Sequence, residues 1–251
     1  MNEPADQTTP MELPSGLEQA WGRQPRVRRG PKPALTLEQL VAAGIQVAQS
    51  EGIAALSMAR VATELGSSTM ALYRYVKAKD DLLLLMVDSA LGPPPPIQPG
   101  TDWRAGLTQW ATVLRARYRA NTWSLRVPIS GPPLGPNNVA WLDNALAAQA
   151  ETTLSEQDKL SAVLLLSGFV RNEATLTADF AEHASGPAEG DVMPGYGAML
   201  KTLIDPRDFP ALHRAIESGS LDDPDDPDIE FDFGLARILD GLQLLMEVAD
   251  E

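Results

Sequence analysis

Residues 56–85 read LSMARVATELGSSTMALYRYVKAKDDLLLL, and this stretch decides the fold. Ser57 is placed to cap a short helix carrying Val61, Ala62 and Leu65. Gly66 breaks that helix, and Ser67 and Ser68 open another that is expected to run to about Tyr75. A further helix is expected from Ala78 to about Leu91, apolar at Leu82, Leu85, Met86 and Ser89–Ala90. Two short helices around a glycine-containing turn form a helix-turn-helix. In that motif the second helix enters the major groove, so its outer face needs small polar groups and hydrogen-bonding side chains. Ser67, Ser68, Thr69, Tyr73, Arg74 and Tyr75 meet that need, and no acid occurs from Gly66 to Ala78. Leu72 and Val76, four apart, mark the inward side. Tyr73 lies off that side, which favours exposure; a core role for Tyr73 and Tyr75 is the alternative.

Upstream, Thr36 and Gln39 make a T-x-x-Q capping box. Leu37, Leu40, Val41, Gly44, Ile45 and Ala48 then share one helical face, which Gly52 ends. The first twenty residues carry Glu3, Asp6, Glu12 and Glu18 and are expected to be a disordered acidic lead-in. Between them and the helix lies RVRRGPK, residues 26–32, with Arg28 and Arg29 at its centre. Taken alone, such a run is more often a solvated tail than a contact. The chain carries a net charge of −14, yet residues 21–85 hold nine cations against five anions, a local net of +4. An asymmetry of this kind is expected where only one end meets an acidic polymer, and the acidic remainder helps orient the encounter.

Downstream, Pro93–Pro96 cannot continue a helix and marks a junction between head and body. Helices are expected at about 102–121, 138–150, 154–184, 195–204, 210–218 and 229–248, with a Pro/Gly-rich loop at 128–136. The fold class is therefore all-α, with a flexible arm at 1–30, a three-helix DNA-binding head at 31–92 and a helical body at 93–251. There is no internal repeat and no strand pattern.

Composition narrows the chemistry. The absence of cysteine removes disulfides, thiolate metal sites and cysteine nucleophiles, and it fits a cytoplasmic location. No signal peptide or apolar run of membrane-spanning length is visible. The two histidines, His183 and His213, lack a metal-ligand spacing, and no P-loop, G-x-G-x-x-G or G-x-S-x-G is present. Neither an enzyme, nor a metal, nor a cofactor is expected. A pure protein-interaction scaffold is the other rival, but it has no need of the acid-free, hydroxyl-rich segment 66–78.

The motifs carry a resemblance. A-x-x-G-I-x-x-A-x-x-x-G at 42–52, L-S-M-A-R-V-A-x-E-L-G at 56–66 and A-L-Y-R-Y-V-K-x-K-D-D-L-L at 71–83 are similar to the head of the TetR family of transcriptional regulators. More loosely, ISGPPLGPNN, LSGFVRNEA and FDFGLARILDGLQLL resemble the C-terminal domain of its tetracycline-repressor branch. The resemblance implies that Ser68, Thr69, Met70 and Tyr73 face the groove, and that Tyr73, Tyr75 and Lys79 touch phosphates. Thr36 and Ser57 open helices whose free N–H groups can also meet phosphate. Met70 departs from the small residues usual at its position; contact with a thymine methyl is one use for it. Lys77 is a solvated side chain with at most a nonspecific phosphate role. Ahead of the head, Arg28 and Arg29 are placed to reach the minor groove.

For the body, residues 229–248 and 154–184 are apolar over more than one stripe, which calls for burial on two sides. The resemblance implies a homodimeric four-helix bundle, with Leu160, Leu164, Phe231, Leu235, Ile238, Leu242 and Leu245 at the interface; a monomeric core is the alternative. A two-fold dimer favours a palindromic operator. The concentration of aromatics in the body suits a small-molecule effector. The candidate lining is Trp110, Leu114, Tyr118, Asn138, Trp141, Phe169, Asn172, Glu173 and Thr177. Glu173 and Arg171 are read as solvated or as paired with each other. The expected activity is ligand-released repression.

Overall fold

In the computed structural model, the described residues are 13–23, 35–98, 100–184, 195–221 and 227–249. Their helices begin where side chains supply the hydrogen bonds that a helix end lacks. Helix α1 is Leu17–Ala20 and α2 is Leu37–Glu51. Ahead of α2 the capping box closes: Gln39 N donates to Thr36 Oγ1 at 3.2 Å, and Thr36 N to Gln39 Oε1 at 2.9 Å. Ser57 caps α3, Met58–Glu64, by accepting from Arg60 N at 3.1 Å. Ser68 caps α4, Thr69–Leu72, by accepting from Ala71 N at 3.3 Å. Helix α5 is Lys79–Leu91.

The chain divides into two units. The first contains residues up to Pro94 together with Arg126–Leu142. Its core is formed by Leu40 and Val47 of α2, Val61 of α3, Leu72, Val76, and Leu82 and Met86 of α5, all buried. Three features differ from expectation. Helix α4 stops at Leu72, and Tyr73–Tyr75 form a turn rather than its last residues. The acidic lead-in is not featureless where it is described: α1 buries Leu17 to 3% exposure, because Leu17, Ala20 and Trp21 give it an apolar side. On α5 the buried polar residue is Asp88, whereas Ser89 is exposed.

The second unit holds Pro95–Leu125 and Asp143–Glu251. Helix α6, Trp103–Ala120, opens on Asp102, which accepts from Arg104 N and Ala105 N. Helix α7, Pro136–Ala148, begins in the first unit and ends in the second. Helix α8, Glu156–Ala184, packs against α6 and against α11, Pro227–Ala249. Helices α9, Tyr196–Leu203, and α10, Pro210–Glu217, pair with each other. Leu107, Trp110, Leu166, Val170, Phe231 and Leu239 form the core. Arg104 ties α6 to α11 through Asp240 at 2.5 Å. Among the described residues there is no strand, and no helix is long and apolar enough to cross a membrane.

Candidate functional site

The turn between α3 and α4 needs one residue with positive φ, and Gly66 supplies it at φ 58. The chain then reverses, and Ser67 N donates to Ala62 O at 2.9 Å. Leu72 and Val76 are fully buried and fix α4 to the head. That leaves the other side of α4 outward: Met70 is 74% exposed, Tyr73 46%, and Ser68 is exposed beside them. Ser67 and Thr69 are half-buried at the edge of this surface. A thioether, a phenol and hydroxyls on a protruding turn of helix can offer both apolar and hydrogen-bonding contacts to base edges.

The cations around this surface differ in availability. Arg60 is held by Glu51 at 2.6 Å and Glu64 at 2.8 Å, and its hydrogen bonds hold the Glu51 carboxyl below the usual carboxylate range. Arg74 and Lys79 are exposed and form no ion pair among the described residues. Lys77 is exposed too, while its backbone N–H donates to Ser15 Oγ at 2.6 Å. Ser15 in turn donates to Asp81, so the segment ahead of α1 fastens the turn between α4 and α5. This contact was not legible in the acidic composition of the lead-in. The apolar spacing of Leu17, Ala20 and Trp21 was the available signal.

Other residues expected at this surface have internal roles. Tyr75 is half-buried and its hydroxyl donates to Leu35 O. Thr36 is engaged in its capping box and Ser57 in its cap, although Ser57 remains exposed. Arg28 and Arg29 lie outside the described residues.

In the second unit, the candidate effector residues fall into a buried and a polar group. Trp110 and Leu114 are buried on α6. Phe169 of α8 stacks on Phe231 of α11, with ring centroids 5.5 Å apart. Glu173 pairs with Arg115 rather than with Arg171: Arg115 Nε and Nη2 donate to its two oxygens at 2.7 and 2.5 Å. Thr177 adds a third donor at 3.1 Å. Arg115 also reaches Asp228 at 2.6 Å and lies over the Phe231 ring at 4.3 Å. Arg171 instead donates to Leu125 O at 2.9 Å and lies over Tyr118. The opposite signs of Arg171 and Glu173 suggested a pair, but neighbours two apart on a helix point to different sides. Asn172 is exposed. Trp123 is a residue that sequence reasoning did not place in the lining. It is buried, and its indole N–H has no hydrogen-bond partner among the described residues.

Asn138 and Trp141 belong to the first unit. There Asn138 donates to Asp88 and Trp141 Nε1 to Gly92 O at 2.9 Å. The Asn138 amide nitrogen and the Trp141 indole nitrogen are thus committed to the scaffold.

On α8 and α11 the apolar residues divide between two faces. Leu160, Leu165, Leu176 and Phe180 are exposed, and Leu164 is 76% exposed. On α11 Phe233, Leu244 and Leu245 are exposed and Ile238 is half-buried. Phe231, Leu235 and Leu242, expected at an interface, are buried within the chain itself, because they sit on the side of α11 that meets α8. The missed outward residues, Phe233 and Leu244, were hidden in a run that is apolar nearly all round.

Comparison with known proteins adds two family matches. Residues 40–86 match the family described as bacterial regulatory proteins, tetR family. Residues 95–246 match the tetracyclin repressor-like C-terminal domain. The chain is 37% identical over 236 residues to the HTH-type transcriptional repressor DrrR1 of Streptomyces coeruleorubidus, covering 92% of this chain and 85% of that one. It is 27% identical to an HTH-type transcriptional repressor of Mycobacterium tuberculosis, covering 90% of this chain and 86% of the relative. Among solved structures, ActR of Streptomyces coelicolor in complex with actinorhodin superposes with a TM-score of 0.72 at 29% identity, covering 84% of this chain and 97% of that one.

Proposed function

Since the chain belongs to the TetR family of bacterial transcriptional regulators, we propose that it is a cytoplasmic homodimeric repressor of palindromic operator DNA, released by a small organic effector bound in its second unit. The observation that carries the DNA reading is the exposure of Met70 on α4 and of Ser68 and Tyr73 at its two ends, above the buried anchors Leu72 and Val76. Arg74 and Lys79 supply charge for phosphates beside it. Thr69, Ser67 and Lys77 stand at its margin, and Arg28 and Arg29 extend it by sequence.

Dimerisation rests on the exposed side chains of α8 and α11. A soluble monomer rarely leaves so many large apolar groups together in water. Burying each one contributes about 1.5–3 kcal/mol. A second copy offers the same faces, so a two-fold four-helix arrangement covers both at once.

For the effector, the candidate contacts are Leu114, Tyr118, Phe169, Glu173, Thr177 and the indole N–H of Trp123. The relative ActR was crystallised with actinorhodin and with (S)-DNPA, which makes these two compounds the first probes. The test selects duplexes from a random library with the purified protein, then titrates the winner with and without each compound. The reading expects one palindromic class, salt-dependent affinity and release by a bound compound. No selected sequence, or a compound that binds tightly and leaves DNA affinity untouched, counts against it.

A further inference from the structure

Helix α5 carries the DNA-facing elements at one end and a buried carboxylate at the other. Asp88, in its last turn, is 4% exposed. No cation pairs with it among the described residues; four N–H groups do. Asn137 reaches Oδ2 through its backbone N at 3.3 Å and its Nδ2 at 3.1 Å. Asn138 reaches Oδ1 through its backbone N at 2.8 Å and its Nδ2 at 2.9 Å. Asn137 Nδ2 also donates to the Asp88 backbone carbonyl at 3.1 Å.

These donors are the second and third residues of α7, which opens at Pro136. Their backbone N–H groups are among those a helix leaves unsatisfied at its start. Asp88 thus acts on α7 as an N-cap side chain does, but from a different helix. The approach is close enough to dictate its neighbour: a Cβ on Gly135 would stand 2.1 Å from Asp88 Oδ1. Trp141, one turn further along α7, closes a second bond to Gly92 just past the end of α5.

We propose that Asp88 is a positioning residue for DNA binding: its bonds to Asn137 and Asn138 form a latch that fixes the direction of α5 and, with it, the placement of α4. A buried carboxylate without a cation is a costly way to hold two helices together, since apolar packing would serve. What it adds is direction, because each oxygen accepts two N–H groups in fixed geometry. Helix α5 spans about 20 Å, so a 10° swing about its latched end moves the other end by roughly 3.5 Å, close to the roughly 3.4 Å spacing of stacked base pairs. In a dimer whose two α4 helices must meet half-sites one turn apart, that displacement decides the fit.

This inference rests on the proposed DNA-binding function, and its test separates the two. The probe is the duplex selected by the wild-type chain from a random library, titrated by fluorescence anisotropy against three variants. Asn138→Asp places two carboxylates face to face and is expected to weaken binding at least about tenfold, equivalent to about 1.4 kcal/mol. Asp88→Asn combined with Asn138→Asp exchanges the two side chains; it relieves the charge repulsion but turns an amide NH2 toward a backbone N–H that the carboxylate had accepted, so it is expected to recover at least about threefold of the affinity lost by Asn138→Asp, without reaching the wild type. Asn138→Ala removes one donor, leaves the backbone bonds, and serves if Asn138→Asp does not fold; it is expected to weaken binding about threefold. Circular dichroism at the assay temperature records the folded fraction. Folded variants that all bind within twofold of wild type overturn the latch, as does an exchanged pair that folds and shows no recovery. If the wild type itself selects no duplex, the DNA reading fails first and the latch falls with it.

Discussion

The phenol of Tyr75 donates its hydrogen to the backbone carbonyl of Leu35, forty positions earlier. This bond joins the turn that follows α4 to the entrance of α2. Tyr73, two residues before, is exposed and makes no such bond. The two tyrosines therefore separate by role. Tyr75→Phe is expected to lower the stability of the head by about 1 kcal/mol with the exposed surface around α4 intact. Tyr73→Phe is expected to leave the melting temperature unchanged. Thermal melts of both variants check this, and equal effects on stability contradict the assignment.

Arg74 and Lys79 are expected to act through charge. Replacing either with alanine lowers affinity for every duplex alike and reduces the slope of log K against log salt by about 1. Arg60→Ala is expected to change that slope little, since its guanidinium is already held by Glu51 and Glu64. Titrations at several salt concentrations measure all three slopes.

In the second unit, Arg115 and Glu173 form a buried pair, with side chains 7% and 13% exposed. Removing Arg115 leaves Glu173 with the Thr177 hydroxyl and a longer contact to Arg119 at 3.8 Å. Arg115→Met is expected to cost about 3 kcal/mol of unfolding free energy, read by denaturant titration. A loss below about 1 kcal/mol indicates that water reaches Glu173.

The same arginine gives the stability a pH signature. The hydrogen bond from Arg115, with the charges of Arg115 and Arg119, holds Asp228 below the usual carboxylate range. A depressed carboxylate contributes stability above its unfolded value, near 3.8, and that contribution is lost as pH falls through the lower folded value. Asp228→Asn is therefore expected to flatten the acid limb of a stability–pH curve below about pH 4 and to lower stability at neutral pH. Thermal melts between pH 2 and 7 provide the test.

Self-association is expected to run through the outward faces of α8 and α11. Leu164→Glu replaces a side chain that the chain itself leaves exposed, so folding should survive while the dimer dissociates. Sedimentation velocity reads the mass. An unchanged dimer moves the interface elsewhere.

The helical layout was legible because caps and breakers sit in sequence where the chain turns: Thr36 with Gln39, Ser57, Gly66 and Ser68. The outward face of α4 was legible from Leu72 and Val76. What escaped were partnerships across long separations. Asp88 follows an apolar run in α5, seven residues after Asp81, and nothing local announces Asn137 and Asn138 as its partners. Glu173 was read as solvated or paired with Arg171, two residues away, and nothing local pointed to Arg115 on another helix. The all-round apolar character of α11 concealed which side its own chain covers, so Phe231 and Phe233 could not be told apart. Leu17 was masked by the acidic composition around it.

The most direct measurement is the affinity of the wild-type chain and of Tyr73→Ala for the duplex that the wild type selects, with melting temperatures recorded in parallel. The expected result is salt-dependent binding by the wild type and a loss of about tenfold or more for Tyr73→Ala at unchanged melting temperature. Equal affinity of the two proteins, or binding that does not weaken with salt, would contradict the placement of α4 against DNA.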